Sequence, residues 1–190
     1  SFLSYTLLAI ILLNLKNLNK VRDMFIIIIF LLNFFQFLVL KNIGFQENSY
    51  RSVIGKDIFA ISQDRNNDTL FLEPAGYIPY FAKIKTFDTK GLSSPKILEY
   101  RNQSNDRWWL DFIEENKPTF IIDRENIFDG FSHDGQYSLK NSEILWFEKN
   151  YELIKEYNYH KFVNNYSGVF KPFYKLGNHS NYFLYKKIIN

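Results

Sequence analysis

The chain has no cysteine, one methionine, five prolines and eight glycines among its 190 residues. Without cysteine there is no disulfide scaffold, no zinc ribbon and no thiol nucleophile, although an oxidising compartment stays open. Net charge is small. Lys and Arg number 23 against 20 Asp and Glu, and the resulting +3 is too little to argue for nucleic acid as a partner. The three histidines, His133, His160 and His179, lie far apart and lack metal-ligand spacing, so no metal site is expected. The adjacent pair His133-Asp134 does not read as catalytic, because neighbours on a regular element point apart. The glycines form neither a Gly-x-Gly-x-x-Gly phosphate loop nor a Gly-x-Ser-x-Gly nucleophile elbow. Alanine is scarce while Asn, Lys, Ile, Phe and Tyr abound, as A/T-rich codons would produce. A lone Asn or Lys therefore carries little weight. The sequons at Asn67, Asn102, Asn165 and Asn178 are close to chance in such a chain.

What is present is apolar surface: 46% hydrophobic and 19% aromatic residues exclude disorder. It is unevenly spread. Residues 2–13 carry no charge, and residues 24–40 form a second uncharged run. As a helix the second run spans about 25 Å, near the lower limit for crossing a bilayer. Asn33 and Gln36 within it would need partners, which a neighbouring helix could supply. Between the runs, residues 16–23 hold Lys16, Lys20 and Arg22 against Asp23. The positive-inside rule puts that loop in the cytoplasm. The expectation is two membrane helices, 1–15 (truncated) and 24–40, around a cytoplasmic loop, with residues 41–190 outside the bacterial inner membrane, in the periplasm or beyond. Starting on Ser suggests that further membrane helices precede. The rival reading takes Met24 as the start and residues 24–40 as a signal peptide or anchor, but that stretch lacks a basic n-region and a small-residue cleavage site.

Residues 41–190 are nearly neutral, with 20 Lys and Arg and 19 Asp and Glu. Apolar spacing from Tyr50 to Ile61 predicts a helix with Ser49 as N-cap. Residues 69–72, 85–88 and 119–123 read as buried strands. Glu73-Pro74-Ala75-Gly76 reads as a strand-to-helix turn before a short helix at 77–82. Ser94-Pro95 opens a helix to Arg101, with Ser94 as N-cap and Pro95 at the first helical position. Another helix covers about 106–116 and ends at Lys117-Pro118. Residues 124–141 read as a loop, 142–149 as a helix, 151–159 and 181–188 as antiparallel edge strands, and 163–180 as a loop or hairpin. The expected fold is α/β: a small three-layer, Rossmann-like, mostly parallel sheet with helices, preceded by two transmembrane helices.

Four side chains stand out as candidate binding groups. Asp88 and Glu73 fall at strand ends, where parallel sheets bind ligands. Tyr77 follows Glu73 closely and could complete a polar pocket. The bland alternatives are a turn carboxylate for Asp88 and helix-dipole compensation for Glu73. Trp108 neighbours Trp109, a core residue on the helical pattern, and is expected to be exposed, free to stack on a sugar or rest at a membrane interface. Trp146 reads as core. Gly76 and Gly91 are turn residues, Gly91 with a positive φ. Asp111, Glu114 and Glu115 read as a solvated helix face.

The run Leu72-Glu73-Pro74-Ala75-Gly76-Tyr77-Ile78-Pro79-Tyr80, continued by Asp88-Thr89-Lys90-Gly91-Leu92-Ser93-Ser94-Pro95 and Lys117-Pro118-Thr119-Phe120-Ile121-Ile122, resembles a known pattern. It is similar to the extracytoplasmic C-terminal domain of GT-C superfamily membrane glycosyltransferases, the protein-mannosyltransferase-like and aminoarabinose-transferase-like group. The match covers residues 50–123, and the aromatic strand at 182–187 ending in lysines fits as well. The resemblance implies sugar transfer from a polyprenyl-phosphate donor at the outer face of the membrane. It carries over no catalytic residue, because the catalytic carboxylate of that group sits in a first extracytoplasmic loop outside this sequence. The resemblance thus implies a non-catalytic cap with no cofactor of its own, inactive by itself, whose partners are the bilayer and a lipid-linked sugar. The competing reading is a membrane-anchored interaction or envelope-assembly domain without enzymatic activity.

Overall fold

Thr69-Leu70-Phe71-Leu72 has no polar position after its first residue, as a strand covered on both faces requires. In the computed structural model this stretch is β1 (Thr69–Leu72), the middle of the parallel part of a five-stranded sheet. The structure describes residues 19–73, 76–92, 94–102, 106–132, 137–176 and 181–188. The chain divides into two units, Ser1–Gly44 and Phe45–Asn190.

The first unit carries α1 (Asn19–Phe45), which includes residues 19–23 of the segment expected as a loop. Its apolar side chains face outward: Ile27, Phe30 and Leu40 are each more than half exposed. Among the described residues it is the one helix long and apolar enough to cross a membrane. The apolar run at 2–13 lies outside the described residues. Asn33 needs no neighbouring helix, because its amide donates to the Ile29 carbonyl of the preceding turn at 2.7 Å.

In the second unit a π-helical turn (Gln46–Arg51) leads into α2 (Ser52–Ile61). Ser49 is therefore not an N-cap. The backbone stays right-handed helical at Phe45 and at Ser52, so no helix start exists there to cap. The remaining elements are α3 (Tyr77–Ala82), β2 (Lys85–Asp88), α4 (Lys96–Arg101), α5 (Trp108–Asn116), β3 (Phe120–Asp123), a 3-10 turn (Ile127–Asp129), β4 (Phe131–Ser132), β5 (Tyr137–Ser138), α6 (Asn141–Asn150), β6 (Tyr151–Tyr157), α7 (Tyr159–Asn165), α8 (Lys171–Lys175) and β7 (Tyr182–Lys187).

The sheet order is β2-β1-β3-β7-β6. β1 is parallel to β2 and β3, while β7 is antiparallel to both β3 and β6. The sheet is thus mixed rather than mostly parallel. β4 and β5 pair separately, inside the stretch expected as a loop. Alternation divides the core between the two faces. Leu70, Leu72, Phe120, Ile122 and Leu184 pack under α2, α3, α7 and α8. Phe71, Ile121 and Tyr185 pack under α4, α5 and α6. Each such buried side chain contributes about 1.5–3 kcal/mol. Helix α8 and the last turn of α7 fall in the segment 163–180 expected as loop or hairpin, and α7 begins at Tyr159, which was expected to end a strand; Tyr159, Val163 and Tyr174 tie the two helices down. Trp146 is only partly buried against the core.

Buried tyrosines anchor the layers through their hydroxyls. Tyr50 donates to the Tyr157 carbonyl at 2.5 Å, Tyr151 to the Pro118 carbonyl at 3.2 Å, and Tyr185 to Asn126 Oδ1 at 2.9 Å. Burial pushes the phenols of all three up from their ordinary value, so they stay protonated donors at neutral pH.

On the α5/α6 side, Arg107 donates to Glu143 and Glu114, each at 2.8 Å, and pairs with Asp111. Asp111 and Glu114 are therefore bound into a network on a face that stays partly solvated, with Glu115 exposed. Burial alone would raise the Glu143 carboxyl. The Lys140 N–H, the Arg107 guanidinium and the Tyr137 hydroxyl outweigh it and hold the group below its ordinary 4.5. A carboxyl held low stabilises the fold fully above its unfolded-state value and loses that contribution as pH falls through its folded-state value. Glu143→Gln should therefore lower the melting temperature at neutral pH and flatten its decline on acidification, as read by near-UV circular dichroism of the full chain in detergent.

Gly55 sets how closely α2 and α3 cross. A β-carbon there would stand 2.5 Å from the Ile78 carbonyl oxygen and 2.8 Å from Phe81 Cβ. Helix propensity favours Ala over Gly by about 1 kcal/mol, but overpacking costs about 1–3 kcal/mol. Gly55→Ala should lower the melting temperature by several degrees in the same measurement, and Gly55→Val by more.

Candidate functional site

Parallel strands deliver their next residues to a common edge. β1, β2 and β3 end in Leu72, Asp88 and Asp123. The chain leaves β1 toward β2 on one side and returns to β3 on the other, so the strand order reverses at β1. Such a reversal opens a crevice at the C-terminal ends of the strands.

Glu73, directly after β1, occupies this edge with its side chain largely buried. Its Oε1 takes Lys90 Nζ, from the turn after β2, at 3.1 Å and stands 3.9 Å from Arg124 Nη2, directly after β3. One carboxylate thereby ties together the exits of three strands. Pro74 and Ala75 lie outside the described residues.

Asp88 is buried, and its Oδ1 accepts the Leu92 N–H at 2.9 Å. Its carbonyl accepts the Gly91 N–H at 2.9 Å. The carboxylate closes the turn it starts, with Gly91 at φ 76°. Ser94 does not cap α4. Its hydroxyl donates to the Thr86 carbonyl at 2.8 Å, which fixes the turn back onto β2. Pro95 occupies the position before the first helical residue, without a side-chain cap. Ser93 lies outside the described residues.

Gly76, at φ 130°, turns the chain into α3, and only glycine adopts that conformation readily. Tyr77 sits at the start of α3. With Gly76 and Tyr80 it lines a surface depression of about 440 Å³. Trp108 is buried, not exposed. The Arg101 guanidinium lies 5.7 Å from its ring, and Arg101 donates to the Thr89 and Lys90 carbonyls at 3.3 Å each. Trp108 supports the β2 turn from behind, through Arg101, and offers no stacking face.

Sequence reasoning missed Lys90, Arg101 and Arg124, together with a second group. Arg51 pairs with Glu47, and its Nε donates to the Tyr182 hydroxyl at 3.0 Å. A β-carbon on Gly76 would lie 4.0 Å from Glu47 Oε2, so this group borders the β1 exit. Burial raises the Tyr182 phenol, while Arg51 and Arg124 both act to lower it. Tyr182 thus senses cations of both groups. The Glu47/Arg51 spacing of four was visible in the sequence. The contact from Arg51 to Tyr182 spans 131 positions and left no local signal.

The crevice therefore gathers Arg51, Lys90 and Arg124 around Glu47 and Glu73. With Asp88 and Asp123 at the ends of β2 and β3, the edge carries both signs of charge, which suits a polar ligand, and Lys90 is its most exposed donor. Among the described residues, no group of three or more His, Asp or Glu could hold a metal ion. His133, Asp134 and His179 lie outside the described residues. Asp88→Ala should cost about 1.5–3 kcal/mol of stability, the worth of a charge-assisted hydrogen bond. Chemical denaturation of the full chain in detergent checks this. An unchanged or raised stability would mark Asp88 as a ligand group instead.

No curated protein and no solved structure matches the chain. A family model does match, over residues 41–185, opening at Lys41 directly after the uncharged run of α1 and closing within β7. That match covers most of the chain, which therefore belongs to the family described as Domain of unknown function (DUF8728).

Proposed function

We propose that this chain is the non-catalytic soluble cap of a polytopic membrane glycosyltransferase, with α1 in the bacterial inner membrane and residues from 41 onward in the periplasm or outside. The parent enzyme transfers a sugar from a polyprenyl-phosphate donor to an acceptor at the outer face. The observation that carries the reading is the polar edge at the strand exits, where the cations Lys90 and Arg124 meet on Glu73. Arg51, Lys90 and Arg124 surround it, and it lies at the same end of the sheet as Tyr182 and Tyr157. A phosphate-linked headgroup needs such donors. The parallel order β2-β1-β3 favours a Rossmann-like three-layer arrangement, with binding at the strand ends. The motifs that resemble GT-C glycosyltransferases map to those ends: Glu73 and Gly76 after β1, and Asp88 through Leu92 after β2. Lys16, Lys20 and Arg22 precede the apolar run, which favours an outside location for the residues after it.

The competing reading is an anchored interaction domain without activity, and the way the carboxylates are held fits it equally well. Glu73 and Glu47 are held in ion pairs, and Asp88 is held in a turn. That arrangement suits binding better than proton transfer.

The test is binding of a radiolabelled polyprenyl-phosphate sugar to the full chain in nanodiscs. Saturable binding is expected. The Lys90→Ala/Arg124→Ala pair should weaken it by about tenfold or more, since two charge-assisted contacts are worth at least 1.4 kcal/mol together. Absence of binding, or binding indifferent to both substitutions, would favour the interaction domain.

A further inference from the structure

The segment 166–176 carries an apolar surface that the fold does not use. Val169 and Leu176 are 85% and 83% exposed, and Phe173 and Tyr166 are exposed as well. Four exposed large apolar side chains in eleven residues are a dense patch for a water-facing surface. The opposite side of the segment is firmly held. Tyr174 is buried, and the Phe45 ring stacks on it at 4.0 Å and 10° while meeting the Tyr166 ring at 4.7 Å. The exposed side is therefore a fixed surface of the second unit.

Charge adds a second, independent feature. No Asp or Glu occurs after Glu156, whereas Lys161, Lys171 and Lys175 lie in or beside the segment. Aromatic rings, aliphatic tips and lysines with no acidic neighbour in the sequence match the headgroup layer of an anionic bilayer. Chain length makes that layer reachable. Phe45, stacked on Tyr174, comes five residues after Leu40, where the uncharged run ends. Five residues span at most about 18 Å whatever their conformation.

We propose that residues 166–176 form an interfacial anchor, with Val169, Phe173 and Leu176 at the acyl boundary of an anionic lipid surface and Lys171 and Lys175 among its headgroups. This rests on α1 lying in a bilayer, and not on sugar transfer. Since the chain has no cysteine, single labels can be placed cleanly. Val169→Cys, Leu176→Cys, Leu145→Cys and Phe30→Cys would each carry an environment-sensitive NBD fluorophore in the full chain. The host vesicles would be phosphatidylcholine and phosphatidylglycerol.

Lipid bearing a shallow spin label should quench positions 169 and 176 several-fold more than position 145, which is exposed on α6. Aqueous iodide should show the reverse order. Omitting phosphatidylglycerol, or introducing Lys171→Gln and Lys175→Gln together, should reduce the lipid quenching. Iodide access at 169 and 176 equal to that at 145 overturns the proposal. Protection from both quenchers also overturns it, because a protein surface then covers the patch. A label at position 30 that deep spin-labelled lipid quenches shows that such a failure belongs to the anchor alone. If position 30 escapes quenching too, the bilayer reading of α1 falls and the proposal with it.

Discussion

β1 has hydrogen-bonded neighbours on both edges and helices on both faces. After the half-buried Thr69, the side chains of Leu70, Phe71 and Leu72 are all committed to the interior, and the rest of the domain is arranged to keep them so. That constraint leaves only the strand ends free for anything else. At the C-terminal end the constraint is electrostatic. Lys90 and Arg124 arrive within reach of one another from β2 and β3, and the Glu73 carboxylate between them relieves their repulsion. The exits of three strands, drawn from positions 73, 90 and 124, then behave as one polar edge.

Tyrosine does the equivalent work in the interior. A core of aliphatic side chains alone would offer no donor to the carbonyls of Pro118 and Tyr157. The hydroxyls of Tyr151 and Tyr50 reach them, while the rings fill the space between sheet and helices. The high aromatic content is thus more than codon bias. Tyr50, Tyr151, Tyr157, Tyr159, Tyr182 and Tyr185 are all buried, and each hydroxyl has a partner.

The three parallel strands were legible because they are short apolar runs bounded by turn residues, and helix α5 because its apolar positions recur at helical spacing. The misreadings share a cause: a local rule applied where a tertiary contact decides. Ser94 looks like a helix cap, but the Thr86 carbonyl competes for its hydroxyl and wins. Trp108 reads as exposed because Trp109 fills the core position, yet the α5 stripe is wide enough to bury both. α8 and the end of α7 read as loop because they are short, and their buried positions Val163 and Tyr174 find partners only against the sheet. At the candidate site, Asp88, Glu73 and the glycine turns were visible. Arg51, Arg124 and Tyr182 were not, since nothing within a few residues of each announces contacts between distant parts of the chain.

If the exits of β1, β2 and β3, with the turn at Glu47–Arg51, form one ligand-responsive edge, a ligand must slow their motions together. Hydrogen–deuterium exchange on the full chain in nanodiscs, with and without a polyprenyl-phosphate sugar, measures this. Slowed exchange is expected at residues 76–77, 89–92, 124–126 and 46–51 together, with α6 and the β4–β5 hairpin unchanged. Unchanged exchange at those turns, or protection confined to another part of the domain, would contradict a single ligand-responsive edge.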